Sequence, residues 1–117
     1  MSVTRVGFRT IEALEGLFDE VVEAWGLSFS EREAVRGLAL RGDVDGRRRR
    51  SRFLTERMAL VIEIDWLLGQ RMDAREVRLW VRRRVAAVAG SSPLDEMVGS
   101  TDRLRRIRTL LTLECEQ

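Results

Sequence analysis

The side chains that could carry out chemistry in this 117-residue chain are carboxylates, arginines, hydroxyls and one thiol. The sequence contains no histidine, lysine, tyrosine or asparagine. A Ser-His-Asp or Cys-His catalytic centre is therefore impossible, and so is a Schiff-base or P-loop lysine. Cys115 is the single cysteine, so the chain cannot form an internal disulfide and cannot supply a zinc site alone. These exclusions favour a binding protein over an enzyme, and they predict no metal site and no cofactor.

Arginine provides every basic side chain, 21 against 19 acidic ones, and the net charge of +2 is unevenly distributed. Residues 1–30 hold two arginines and five acids, for a charge of −3, whereas residues 31–57 hold nine arginines and five acids, for +4. Such a basic cluster can bind the phosphates of DNA, or it can be a solvated arginine-rich loop, and the sequence supports both interpretations. The candidate DNA-binding residues are Arg47, Arg48, Arg49, Arg50 and Arg52.

Apolar residues recur at intervals of three and four along most of the chain, which is the pattern of amphipathic helices. In the N-terminal part this spacing predicts a helix from about Thr10 to Trp25 that ends at Gly26. A second helix is predicted to begin at Ser30, with Glu33 completing a capping box. Residues 42–46 then form a predicted turn, because their sequence, Gly-Asp-Val-Asp-Gly, is rich in turn-forming residues.

The most apolar helix is predicted from Phe53 to Leu68, directly after the basic cluster, with Gly69 at its end. Two apolar stripes run along it, so it is covered on more than one side. It is therefore either the central helix of the core or an interface between two copies of the chain. The stripes consist of Leu54, Met58, Val61 and Leu68, and of Leu60, Ile64 and Leu67.

Three shorter helices are predicted in the C-terminal part. Asp73 is the expected N-cap of the first, with Glu76 three residues later. Ser92 caps the next, with Pro93 at its first position, where proline is favoured. The last runs from Asp102 to about Glu114, and its inward-facing residues are expected to be Leu104, Ile107, Leu110 and Leu111. The whole chain is thus predicted to be all-α, a compact bundle of five to six helices.

The C-terminal part also resembles a known family in the order and spacing of a set of residues. A helix with Trp80 is followed by a linker that ends in Gly90, then by a short Ser-Pro helix and a last helix. The matching residues of those two helices are Ser92, Pro93, Leu94 and Met97, then Leu104, Ile107, Arg108 and Leu111. This pattern resembles the toxin-binding domain of the Xre/MbcA/ParS antitoxins.

Upstream residues extend the resemblance over about residues 25–114. The segment from Trp25 to Ser28, followed by Glu33 and Leu38, is similar to the degenerate Xre-type helix-turn-helix of these antitoxins. The segment from Leu54 through Leu68 is similar to their connecting helix. The chain departs from the family at residues 84–86, where a proline-containing linker is usual, and at Ala89, which replaces a glycine. The glycines between residues 42 and 46 also interrupt the region expected to read DNA.

The resemblance implies a type II antitoxin that acts without catalysis. Its partner would be a RES-domain toxin that consumes NAD, and the antitoxin would cover the toxin's active site. The complex would also repress its own promoter by binding operator DNA, and the antitoxin would form a homodimer. A stand-alone DNA-binding transcriptional regulator is the alternative function. Because no segment has the length of a signal peptide core or a membrane span, we expect a cytoplasmic protein without a membrane partner.

The resemblance divides the chain into three regions: an N-terminal Xre-like region (1–52), a central or dimerisation helix (53–72) and a toxin-binding domain (73–117). Trp80 fits two roles, because its spacing from Val77 also places it on the apolar, core-facing side of its helix. Ser92 and Pro93 would build the surface as helix cap and first-turn residue. The full set of candidate toxin-binding residues is Trp80, Arg83, Ser92, Pro93, Arg105, Arg108 and Glu114.

Overall fold

The computed structural model describes residues 11–37, 47–83 and 91–115, and over these residues it contains six α-helices and no β-strand. The helices are α1 (Ile11–Ala24), α2 (Phe29–Arg36), α3 (Arg47–Gly69), α4 (Ala74–Arg82), α5 (Pro93–Gly99) and α6 (Thr101–Cys115). The prediction of an all-α bundle of five to six helices is confirmed. The predicted turn over residues 42–46, and the linker that ends in Gly90, lie outside the described residues.

Helix α3 is the centre of the bundle and packs against α1, α2, α4 and α6. Both of its apolar stripes are covered within a single chain, with Val61 and Ile64 completely buried and Leu54 half-buried. The interpretation of this helix as the central core helix is therefore correct for most of its length. The remaining core comes from the other five helices and from Trp25, directly after α1, and its most buried members are Leu14, Phe18, Val22, Trp25, Val35, Val81, Met97 and Leu104.

Helix ends agree with the capping signals in the sequence at most positions. Gly26 has a φ of 72° and ends α1 as predicted, because this left-handed conformation favours glycine. Asp73 caps α4 and Ser92 caps α5, each with its side-chain oxygen accepting from the backbone three residues on. Pro93 is the first residue of α5, as its missing N–H requires. Local sequence thus determines where α1 ends and where α4 and α5 begin.

Two predicted helix starts are wrong. The cap of α2 is Ser28, whose hydroxyl accepts from the backbone N–H of Glu31 at 3.2 Å while its own N–H donates to the Glu31 carboxylate at 2.9 Å. Ser30 therefore lies inside the helix, because an equivalent capping box two residues earlier takes precedence. Helix α3 begins at Arg47 and not at Phe53, so the basic cluster belongs to the helix that was predicted to follow it.

The predicted inner face of α6 is correct except at Leu110. Leu104, Ile107 and Leu111 are buried, whereas the side chain of Leu110 is 50% exposed. At 100° per residue, Leu110 falls at the edge of the arc that the other three share. It therefore borders the core at the mouth of a surface groove.

Candidate functional site

An apolar groove lies where α3, α4, α5 and α6 meet. Its cavity has a volume of about 180 Å³. Most of its walls are aliphatic or aromatic, and only two lining side chains carry a charge. The lining residues are Leu67, Leu68, Arg71, Met72, Trp80, Pro93, Ile107, Leu110, Leu111 and Glu114.

The groove is shaped by the ends of short helices. On α4, Val77 and Val81 are buried in the core, which leaves Trp80 half-buried at the groove wall. On α5, the capping box of Ser92 fixes the N-terminal end of the helix. This places Pro93, its first residue, against the groove. Ile107 and Leu111 of α6 form part of the floor, because they belong to its buried face.

The rim of the groove carries one ion pair. An Arg71 Nη1 atom lies 3.0 Å from the Glu114 carboxylate, and both side chains are more than half exposed. An ion pair in contact with water adds little to stability. It does leave this rim without net charge.

Helix α4 is held in place by two arginines on its outer side. Arg78 donates to the carbonyl of Ala24 at 3.2 Å, and Arg82 donates to the carbonyl of Gly26 at 2.9 Å. Arg82 also makes two 2.7 Å hydrogen bonds to Glu31. The Arg82 hydrogen bond is the main reason why the pKa of Glu31 is lowered from 4.5 to about 2. These contacts fix the α4 face that presents Trp80.

The structure brings three of the seven predicted toxin-binding residues together. Trp80, Pro93 and Glu114 all line the groove. Ser92 is buried next to it, where its side chain serves as a helix cap. Arg83 is exposed at the C-cap of α4 and does not line the groove.

Arg105 and Arg108 point away from the groove, towards α3. Arg105 donates to Glu56 and to Asp102, and the hydrogen bond with Glu56 is the main cause that raises its pKa. Arg108 lies 3.6 Å from the Glu63 carboxylate. These two candidate residues therefore face a separate surface, and they already pair with carboxylates of this chain.

The predicted DNA-binding arginines are located only at the level of the backbone. Arg47, Arg48, Arg49, Arg50 and Arg52 lie in the first turns of α3, and their side chains are outside the described part of the structure. A cluster of cations at a helix N-terminus is opposed by the helix dipole, which favours anions there. The helix itself therefore gains no stability from this cluster.

Arg57, which was not among the functional residues predicted from the sequence, is completely buried. Its guanidinium donates to the carbonyl of Val35 at 3.0 Å, to the carbonyl of Met97 at 2.5 Å and to the hydroxyl of Thr101 at 3.2 Å. It thus joins the last turns of α2 and α5 to the first turn of α6. Burial lowers its pKa. The sequence did indicate this burial, because Arg57 lies three residues after Leu54 and four before Val61, on an apolar stripe.

Comparison with known proteins does not assign the chain to a family. No model of a protein family, no curated protein and no solved structure matches it. In the ranges that the structure describes, acidic and sulfur-containing side chains form no cluster that could hold a metal ion. Nor does any helix there combine the length and the apolar character needed to cross a membrane.

Proposed function

We propose that this protein is the antitoxin of a type II toxin–antitoxin system and that it neutralises a RES-type, NAD-consuming toxin by covering the toxin's active site. The observation that carries the proposal is the groove in which Trp80, Pro93 and Glu114 meet. Trp80 and Pro93 belong to the pattern that resembles antitoxins, and Glu114 is a further candidate; the three residues lie on α4, α5 and α6. Their convergence on one surface supports a shared role in binding.

The chemistry of the groove suits a protein partner. Tryptophan is among the residues that most often dominate interface energies, and Trp80 is half-buried at the groove wall. The exposed leucines of α6 extend the apolar surface beyond the cavity. A stable complex buries about 800 Å² on each partner, so the surface must include parts of α4 and α6 around the groove. No catalytic group is required for this mode of action.

Growth rescue tests the proposal in cells. A RES-domain toxin, which the proposal predicts to be encoded beside this gene, is expressed from an inducible promoter, with and without the present protein. We expect growth arrest with the toxin alone and normal growth when both are expressed. If the purified proteins fail to associate and co-expression leaves growth arrested, the antitoxin proposal is wrong.

A second candidate function is favoured by the position of the basic cluster at the start of α3. Because the helix dipole opposes Arg47–Arg50 there, a phosphate-rich partner accounts for the cluster better than local stability does. The second candidate is a DNA-binding regulator that acts without a toxin. In the antitoxin proposal the same cluster binds operator DNA, so DNA binding alone does not separate the two, whereas toxin binding does.

A further inference from the structure

The outer face of α6 carries a short stripe of one cation and two leucines. Arg106, Leu110 and Leu113 are spaced by four and three residues, so they share one side of the helix. Leu110 is 50% exposed and Leu113 is 53% exposed. Half-exposed leucines one turn apart form an apolar strip that a partner can cover.

This strip is continuous with the groove, because Leu110 belongs to both. The cavity of about 180 Å³ is smaller than the roughly 300 Å³ at which small-molecule pockets begin. It has room for one large apolar side chain. The strip and the cavity together therefore fit a protein segment that inserts one anchor residue and runs along α6.

The charges around the groove indicate the chemistry of that segment. Glu114 is paired with Arg71, and Arg103 lies 3.5 Å from Glu96. The Arg106 side chain, by contrast, makes no hydrogen bond or ion pair with any residue that the structure describes. Among the residues that the structure describes around the groove, the Arg106 guanidinium is thus an exposed cation without an ion-pair partner, about 6 Å along the helix from Leu110.

We propose that the groove and the strip form a docking site for an acidic amphipathic helix of the partner. One apolar side chain of that helix enters the cavity beside Trp80, and a second, three or four residues away, covers Leu113. A carboxylate on the same face, about one turn from the anchor, pairs with Arg106. The inference rests on the proposed function in taking the toxin as the protein that supplies the helix.

Toxin affinity tests this docking site directly. The 117-residue chain is titrated with a purified RES-domain toxin, the partner that the proposed function predicts, using isothermal titration calorimetry. Leu110→Asp places a charge at the groove mouth and is expected to weaken binding by about tenfold or more. Arg106→Glu is expected to weaken it several-fold, with a smaller salt dependence of the association rate. Replacing the partner's carboxylate by arginine should restore the affinity of the Arg106→Glu variant.

Matched variants on α4 provide the controls. Leu79 is 65% exposed and Arg75 is exposed, and neither lines the groove. Leu79→Asp and Arg75→Glu are therefore expected to bind the toxin like the wild type. Thermal melts confirm that all four variants fold, which is expected because each side chain is at least half exposed or lies on the surface.

Three results would overturn the inference, and each has a different meaning. If the wild type binds the toxin and the two α6 variants bind as tightly as the two α4 controls, the docking site is wrong and the proposed function stands. If Leu110→Asp abolishes self-association of this chain while toxin affinity is unchanged, a second copy occupies the groove. If the wild type does not bind the toxin at all, the proposed function fails and the docking site fails with it.

Discussion

The indole nitrogen of Trp25 donates a 2.9 Å hydrogen bond to a carboxylate oxygen of Asp65. Trp25 is completely buried directly after α1, and Asp65 lies in the last part of α3. The bond therefore ties the end of one core helix to another. Burial raises the pKa of Asp65, although the hydrogen bond from Trp25 acts in the opposite direction.

Asp65→Asn tests this balance between burial and hydrogen bonding. Asparagine keeps an oxygen that can accept from Trp25, whereas Asp65→Ala leaves a buried donor unsatisfied and should cost about 1–3 kcal/mol. Because the folded pKa of Asp65 is raised above 3.8, its ionised form destabilises the fold above that pKa, and the cost disappears as the pH falls through it. We therefore expect Asp65→Asn to be at least as stable as the wild type at pH 7.

Urea denaturation at several pH values measures this effect. The stability of Asp65→Asn relative to the wild type should decrease as the pH is lowered from 7 towards 4. If the difference in stability between Asp65→Asn and the wild type stays constant over this range, burial of the Asp65 carboxylate does not destabilise the fold. If Asp65→Asn and Asp65→Ala lose equal stability, the hydrogen bond that Trp25 donates to this side chain does not contribute.

Arg57→Met should strongly destabilise the fold. The substitution keeps an apolar stem but leaves the carbonyls of Val35 and Met97 without their buried donor. We expect a loss of about 3 kcal/mol in the free energy of unfolding. The matched change Arg75→Met, at an exposed position of α4, should alter it by less than about 0.5 kcal/mol. Similar denaturation midpoints for the two variants would show that Arg57 does not join the three helices.

The sequence predicts those parts of the fold that depend on local signals. The caps at Asp73 and Ser92 and the stop at Gly26 were predictable, because each acts within one helical turn. The choice between Ser28 and Ser30 was not, since two Ser-x-x-Glu boxes overlap and only one can begin the helix. The start of α3 was missed because a run of arginines has no apolar period to reveal a helix.

Glu31→Gln should make the stability less sensitive to acid. The pKa of Glu31 is lowered to about 2 by Arg82, so its ionised form stabilises the fold above the ordinary value of 4.5, and this contribution is lost as the pH falls through about 2. The side chains are partly exposed, so the variant should lose only about 0.5–1 kcal/mol at pH 7. Urea midpoints for the two proteins should differ at pH 7 and converge near pH 2. A gap of constant size across this range would refute the ion pair's contribution.

Substitution of Arg47–Arg50 by glutamine tests the DNA-binding proposal. If the cluster contacts phosphates, the logarithm of DNA affinity falls with the logarithm of salt concentration by about 0.9 for each contact. The glutamine variant should bind more weakly and show a correspondingly flatter slope in a fluorescence anisotropy titration. Arg75→Gln with Arg83→Gln, two changes at exposed positions of α4, should leave the slope unaltered. A wild-type protein without salt-dependent DNA binding would exclude this function.

The candidate site was predicted only in part, and the reason is geometric. Trp80, Pro93 and Glu114 meet because three separate helices converge. No pattern within a single helix predicts that convergence. Arg105 and Arg108 were predicted as toxin-binding residues together with them, yet their flank of α6 faces Glu56 and Glu63. Leu110 was assigned to the core by its period, although it lies at the edge of the buried arc.

Inhibition of the toxin by the purified protein is the most direct test of the proposed function. The NAD consumption of the RES-domain toxin that the proposal predicts as the partner is followed while the wild-type chain or the Leu110→Asp variant is added. We predict that the wild type abolishes NAD consumption at stoichiometric amounts and that Leu110→Asp requires about tenfold more protein. NAD consumption that continues unchanged in a large excess of the wild-type chain would contradict the account.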